Sequence, residues 1–475
     1  MKPGDLIALL NSTEFGEVIN ERTFRRHKNS AGIIGSRIDI CRYAAWLTQT
    51  YNEYQKQTEK QKKAKAAQRR AEIAESRQDI GEIPDIVNPE RRAKAAGDFK
   101  LFCETYFPEV FYFGWSPDHL KVIEKIQQSV LKGGLFALAM PRGSGKTVLM
   151  QIACVWSAIN GLTPFVCLIA ASADRAKDLL GNIKIWLETN ELLFEDYPEV
   201  CYPVRKLERI TNRQKGQRYN GKPTRIEWNA DKIVLPNIED SVSSGVVISC
   251  SGLKGSDIRG QNHARPDGKV VRPQLVMIDD PQTTESAWSP SQSKRREAIL
   301  AGDVLGMAGP GKKISGLMAC TVIRPNDMAD NILDREKHPD WQGQRTKMVY
   351  QFPKNEKLWE EYGQIRADSL RNDGDGSIAT QFYIENREAM DEGTVVSWEH
   401  RFNEDEVSAI QHAMNLKLRD EEAFFAEYQN EPIVESEGED MLSADQIAAK
   451  TNNHKRCSVP LGCSFLTMFI DVQQK

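Results

Sequence analysis

Short apolar runs alternate with longer mixed stretches through the middle of this 475-residue chain. LFALAM (135–140) precedes KTVLMQIACVWSAIN, and PFVCLIAAS precedes DRAKDLLGNIKIWLET. Each run has strand length, and each stretch after it reads as a helix. QLVMIDD (274–280) and SGLMACTVI (315–323) are two further apolar runs that end in polar residues. This alternation predicts an α/β domain, a doubly wound and mainly parallel sheet with ligands at the carboxyl ends of its strands.

The N-terminal pattern is different. GDLIALLN is a short amphipathic run, and VINERTFRRHKNSAG offers Asn20 as an N-cap, a basic helix carrying Arg22, Arg25, Arg26 and Lys28, and a stop at Gly32. Two short helices joined by a tight turn, the second basic, suit a helix-turn-helix reader of duplex DNA, and also a solvated three-helix module. Ile40, Ala44, Leu47, Tyr51 and Tyr54 fall at heptad spacing and predict a packing face on the same domain. EKQKKAKAAQRRAEIAESR then reads as a charged helix, ending at the breaker IGEIPDIVNPE. The expected division is a small all-α domain over 1–55, a charged helical linker over 56–85, a nucleotide-binding domain over 86–435, and a second linker with one strand over 436–475.

Charge sharpens this division. Residues 1–78 hold fifteen Lys/Arg against nine Asp/Glu, whereas the whole chain is −4, so a basic N-terminal module joins an acidic body. Apolar residues at 40% and charged residues at 27% are ordinary for a globular protein. No run of eighteen apolar residues exists, the first residues lack a signal-peptide pattern, and the nine cysteines include no C-x-x-C pair. An intracellular protein with no membrane partner and no disulfide framework is expected.

The chemistry centres on MPRGSGKT (140–147), between a predicted strand and a predicted helix. It matches the phosphate-loop pattern G-x-x-x-x-G-K-[ST] except that Met140 holds the first glycine's place. Pro141, Gly143, Ser144 and Gly145 would shape a loop whose backbone N–H groups turn toward phosphate oxygens, at the positive end of a helix. Lys146 would reach the β- and γ-phosphates and Thr147 would ligate Mg²⁺. In IDDPQ, Asp279 would bind Mg²⁺ through water, and Asp280 would orient or deprotonate the attacking water. These residues predict ATP and Mg²⁺ as ligands.

In this order the motifs resemble the large subunit of tailed-phage terminases, the ATP-driven DNA-packaging motors. That family often lacks the loop's first glycine and carries an arginine within the loop, as PRGSGKT does with Arg142. The resemblance implies an additional-strand (ASCE) type of P-loop fold and covers roughly residues 99–475. It makes IDDPQ the metal strand and ACTVI (319–323) a coupling segment in which Thr321 senses the γ-phosphate. GWSPDHLKVI (114–123) stands where terminases carry an adenine-contacting element, which brings in Trp115 and His119. GLKGSDIRGQN also looks terminase-like, and FFAEYQNEPI (424–433) resembles the segment closing the ATPase domain. Many terminases place a glutamate where this chain has Asp280, and Glu285 is the fallback for the water-orienting role. Arg142 is the candidate for stabilising charge on the transferring phosphoryl group, and Arg259 competes for it.

The implied activity is ATP-driven translocation of double-stranded DNA into a procapsid within an infected bacterial cell. The implied partners are a portal protein, a small terminase subunit and further copies of the chain in a ring. A helicase-like P-loop ATPase and a nucleotide-binding DNA adaptor without turnover are the rival readings. The basic segment 205–225 offers a second surface for DNA or for a neighbouring subunit. Finally, CSFLTMFIDVQQK (463–475) looks like the strand that opens a ribonuclease-H-like nuclease, with Asp471 as its first metal-binding carboxylate. Two-metal cleavage needs carboxylates from several strands, so the expectation is a truncated product without nuclease activity.

Overall fold

The computed structural model of the protein describes residues 1–12, 19–50, 78–254, 258–265, 267–433, 449 and 462. Asp471, Tyr51, Tyr54 and most of both expected linkers lie outside these residues.

Three helices build the N-terminal unit: α1 (Pro3–Asn11), α2 (Glu21–Ser30) and α3 (40–50). Asn20 caps α2 by accepting the Thr23 N–H, and Gly32 takes a left-handed φ of 64° just past its end. Leu6, Ile19, Phe24, Ile33, Ile38 and Tyr43 form a core of their own. The expected tight turn is corrected, because nine residues separate α1 from α2. The predicted packing face of α3 shifts as well. Tyr43, Trp46 and Leu47 turn to the core while Ile40 is exposed. Aromatic bulk outweighs heptad spacing in so small a core.

The body begins with α4 (Pro89–Gly97), α5 (Phe99–Tyr106) and α6 (Pro117–Lys132), then alternates β1 (Leu135–Ala139), α7 (Lys146–Ile159), β2 (Phe165–Ala170) and α8 (Ala173–Thr189). Two short helices follow, α9 (Glu191–Asp196) and α10 (Pro198–Arg205), and then β3 (Glu227–Trp228), β4 (Lys232–Val234), β5 (Val247–Gly252) and β6 (Leu275–Asp279). Next come α11 (Pro290–Ile299), β7 (Ser315–Cys320), α12 (Met328–Leu333) and β8 (Gln344–Arg345). The eight strands form one sheet in the order β8-β1-β7-β6-β2-β5-β4-β3, parallel except for the edge strands β4 and β3.

Both faces of this sheet are covered, and strand residues divide between them with period two. Phe136, Leu138, Val166, Leu168, Met277 and Leu317 pack against the layer containing α5 to α8. Their neighbours Ala137, Ala139, Cys167, Ile169, Ile278 and Met318 pack on the other side with Leu300, Met328 and Ile332. Helix α7 is buried almost all round, and its Trp156 indole N–H finds the Ala95 carbonyl at 3.0 Å. No long apolar helix capable of crossing a membrane occurs among the described residues.

After β8 the chain forms a helical unit with a third core: α13 (Glu356–Arg371), α14 (Ser377–Met390), α15 (Ala409–Arg419) and α16 (Glu421–Glu427) around Trp359, Tyr362, Tyr383, Met414 and Phe424. Gln429 pairs with both backbone groups of Val349 inside this unit. Asn430, fully buried, fastens it to the sheet by accepting the Val322 N–H and donating to the Thr346 carbonyl.

Candidate nucleotide site

Between β1 and α7 the chain turns through 140–145. Met140 is buried in the main core and does not adopt a positive φ, so nothing at this position calls for glycine. Gly143 and Gly145 do, with φ of 77° and 79° in the left-handed region. Ser144 N–H closes the turn on the Pro141 carbonyl at 3.1 Å, and Ser144 Oγ is buried without a partner.

Two neighbours hold the loop from outside. His119, in the first turn of α6, donates from Nε2 to the Ser144 carbonyl at 2.9 Å. Its Nδ1 accepts the Ser116 backbone N–H at 3.2 Å, which leaves the proton on Nε2. Burial lowers its pKa, so the ring is neutral as this donor pattern requires. Trp115 packs beside it with ring centroids 5.9 Å apart and donates to Glu104 at 2.7 Å. On the other side, Arg142 N–H donates to the Glu427 carbonyl at 2.8 Å, and its guanidinium pairs with the Glu427 carboxylate at 2.5 Å.

The residues singled out at the start of α7 and at the ends of β6 and β7 converge where the loop meets α7. Register places Asp279 at the carboxyl end of β6, level with Ala319 on β7 and Ala170 on β2. Thr147 Oγ1 donates to Asp279 at 2.9 Å to Oδ1 and 3.1 Å to Oδ2. Lys146 is buried, and its ammonium meets Asp280 Oδ1 at 3.0 Å and hydrogen-bonds Thr321 Oγ1. Thr321 Oγ1 in turn donates to Asp280 Oδ1 at 3.3 Å.

Electrostatics separates the two carboxylates. Burial and the charge of Asp280 push the Asp279 pKa up to about 6, against the pull of Thr147, Lys146 and Arg175. Asp280 is half-exposed and sits at a φ of 37°, a conformation costing about 1–2 kcal/mol in an L-residue. Its N–H is fixed on the Ala319 carbonyl at 2.9 Å. Strain of this kind persists where surrounding bonds over-determine it.

The residues present fit a nucleotide with its Mg²⁺. Among the described residues no group of three His, Cys, Asp or Glu could hold a metal alone. A nucleotide-borne Mg²⁺ needs only one or two protein oxygens, since phosphate and water supply the rest. Thr147 and Asp279 offer those oxygens, and the glycine loop offers backbone N–H groups beside them.

Other candidates lie apart from this cluster. Arg259 is exposed and paired with Asp303 at 2.6 Å, Arg142 is paired with Glu427, and Glu285 is exposed on a short helix, Thr284–Ala287, after Pro281. In the N-terminal unit Arg22, Arg25 and Arg26 are exposed on α2, Arg25 beside Glu21 at 2.7 Å, while Lys28 donates to the Gly35 carbonyl. Within 205–225, Arg205, Arg209, Arg213 and Lys222 each pair with a carboxylate, which leaves less free charge than the composition suggests.

Sequence reasoning missed Gln282, which donates to the Thr321 carbonyl and to Asp327, and Arg175, at the start of α8 within electrostatic reach of Asp279. It also missed Arg401, whose guanidinium hydrogen-bonds the Arg142 carbonyl. Gln282 closes the quoted IDDPQ and was open to notice. Arg401 belongs to no motif, and only the tertiary fold reveals its proximity. No protein-family model matches the chain, and neither does any curated protein sequence.

Proposed function

We propose that this chain is an ATP-hydrolysing motor subunit of the terminase type, acting on duplex DNA. The observation that carries the reading is the cluster Lys146, Thr147, Asp279, Asp280 and Thr321 beside a left-handed glycine loop, at the carboxyl edge of a parallel sheet. Its strand order adds support, because β7 lies between the loop strand β1 and the acidic strand β6, as the additional-strand class of P-loop ATPases would have it.

In this reading the backbone N–H groups of Gly143, Gly145, Lys146 and Thr147 would cradle the β- and γ-phosphates, and Thr147 and Asp279 would hold Mg²⁺. The metal supplies charge neutralisation on the phosphate oxygens. Lys146, which contacts Asp280 and Thr321, would turn onto the phosphates and leave Asp280 free to orient the attacking water. Thr321 changes partner in the same event. Its carbonyl is held by Gln282, and the next N–H, at Val322, is held by Asn430. A change at Thr321 therefore has a bonded route to the helical unit.

Duplex DNA as partner draws on the resemblance and on an open groove of about 700 Å³ lined by Lys254, Arg259, Arg295 and Arg296. A smaller concavity adjoins it at Arg259 and Arg272. Among the described residues lining either, Asp303 is the one carboxylate. Such a surface suits a phosphodiester backbone held without base readout. The N-terminal unit is proposed as a second, helix-turn-helix-like DNA contact. A portal, a procapsid, a small subunit and a ring of copies are proposed partners in the host cytoplasm.

ATP turnover with and without duplex DNA tests this reading. Lys146→Ala is expected to abolish hydrolysis, and Asp280→Asn to lower kcat by about 10²-fold or more with ADP affinity within a few-fold. Absence of ATPase activity in the unmutated chain would favour the adaptor reading, and robust strand separation would favour a helicase.

A further inference from the structure

Between α14 and α15 the chain returns to the glycine loop through residues 398–402. Trp398 packs edge-on against His119, with ring centroids 4.7 Å apart at 77°, and against Phe113 at 5.8 Å. Its indole N–H is buried and has no partner. Three residues on, Arg401 donates to the Arg142 carbonyl, and a side chain at Gly143 would meet Arg401 Nη2 at 3.2 Å.

Arg401 is half-buried, and its charge is poorly compensated. A guanidinium carries five N–H donors, and the structure gives this one a single acceptor and the face of Tyr428 at 5.6 Å. Among the described residues no carboxylate pairs with it. Glu427, the neighbour of Tyr428, is committed to Arg142. Burial without an acid partner pulls the Arg401 pKa down to about 10. Desolvating a cation in this way is unfavourable until an anion approaches. The adjoining backbone is the glycine loop, already argued to receive a polyphosphate.

Resting on the nucleotide reading above, we propose that Arg401 is a second cationic contact for the nucleotide's polyphosphate, carried to the loop by the C-terminal helical unit. Polyphosphate binding and docking of that unit then share one free energy, and each strengthens the other. Arg401 thus supplies a phosphate-side link between the site and the helical unit, separate from the Thr321–Val322–Asn430 route. The neutral part of the nucleotide gains nothing from it.

The test is calorimetric binding of adenosine, AMP, ADP and a non-hydrolysable ATP analogue to the full chain and its Arg401→Gln and Arg401→Lys variants. Hydrogen exchange of the segment 397–403 is followed alongside. Arg401→Gln is expected to weaken ADP and the ATP analogue by about tenfold, to leave adenosine within twofold, and to abolish the protection that ADP confers on 397–403. Arg401→Lys, which keeps the charge, is expected to recover most of the affinity, and it carries the test alone if the Gln variant does not fold. In that case loss of ADP affinity equal to loss of adenosine affinity would mark a purely structural role and overturn the proposal. Native ADP affinity in a folded Arg401→Gln variant would overturn it while leaving the nucleotide reading intact. Failure of the unmutated chain to bind ADP would remove that reading and the proposal together.

Discussion

Asn430 gives the fold its most quantifiable point of failure. It is fully buried at a φ of 53°, and its side chain joins three segments: its own, the one after β7 through the Val322 N–H at 3.2 Å, and the one after β8 through the Thr346 carbonyl at 3.0 Å. Asn430→Ala removes both bonds and leaves a buried donor and a buried acceptor unpaired. Each costs about 1–3 kcal/mol. Alanine tolerates the left-handed conformation less well than asparagine, which adds about 1 kcal/mol. The expected loss is about 3–7 kcal/mol, a large fraction of the ~5–15 kcal/mol typical of a folded protein. Asn430→Gly relieves the backbone part and should recover about 1 kcal/mol of it. Urea unfolding, followed by far-UV circular dichroism and by tryptophan fluorescence, measures the loss and shows whether the helical unit separates before the sheet. A loss below about 1 kcal/mol for Asn430→Ala would refute the claim that both bonds are made and buried.

Two further outcomes follow from charge. Asp279 has a folded-state pKa of about 6 against 3.8 unfolded, so the native state binds its proton more tightly and stability falls as pH rises through that window, by about 3 kcal/mol in total. With chelator present and no nucleotide added, Asp279→Asn should therefore stabilise the protein at pH 8 by up to that amount and be nearly neutral at pH 4; equal melting temperatures at pH 8 would contradict the assignment. In the basic groove, Lys254→Glu with Arg295→Glu should abolish stimulation of ATPase by duplex DNA, flatten its salt dependence and leave basal turnover unchanged, whereas Arg22→Glu with Arg26→Glu should weaken DNA binding without touching stimulation. Stimulation that survives the groove substitutions would place the proposed DNA contact elsewhere.

Local chemistry made most of the sheet legible. β1, β2, β6 and β7 are apolar runs buried on both faces, and the helices after the first two begin within a residue of where the pattern places them. β5 escaped because VISCSG mixes serine and glycine into a fully buried strand, which no hydrophobic pattern marks. β8 escaped for a different reason. It is two residues long, and its place beside Leu138 and Ala139 is set by the segments on either side of it. The helical unit was read as part of the nucleotide domain because sequence pattern reports amphipathic helices without saying which core they share.

The candidate site divides along the same line. Lys146, Thr147, Asp279, Asp280 and Thr321 each end a strand or open a helix, so parallel pairing alone gathers them on one edge. Position along a strand is a local property, and sequence carries it. Arg401, Glu427 and Asn430 reach the loop and the post-β7 segment from over a hundred residues away, on a unit whose docking depends on their own contacts. Their roles exist only once that unit is seated. If the structure-only contacts couple turnover to movement, substitutions there should alter how ATP use responds to DNA more than how fast ATP is hydrolysed without it. Substitutions in the strand-end group should lower hydrolysis itself, with or without DNA.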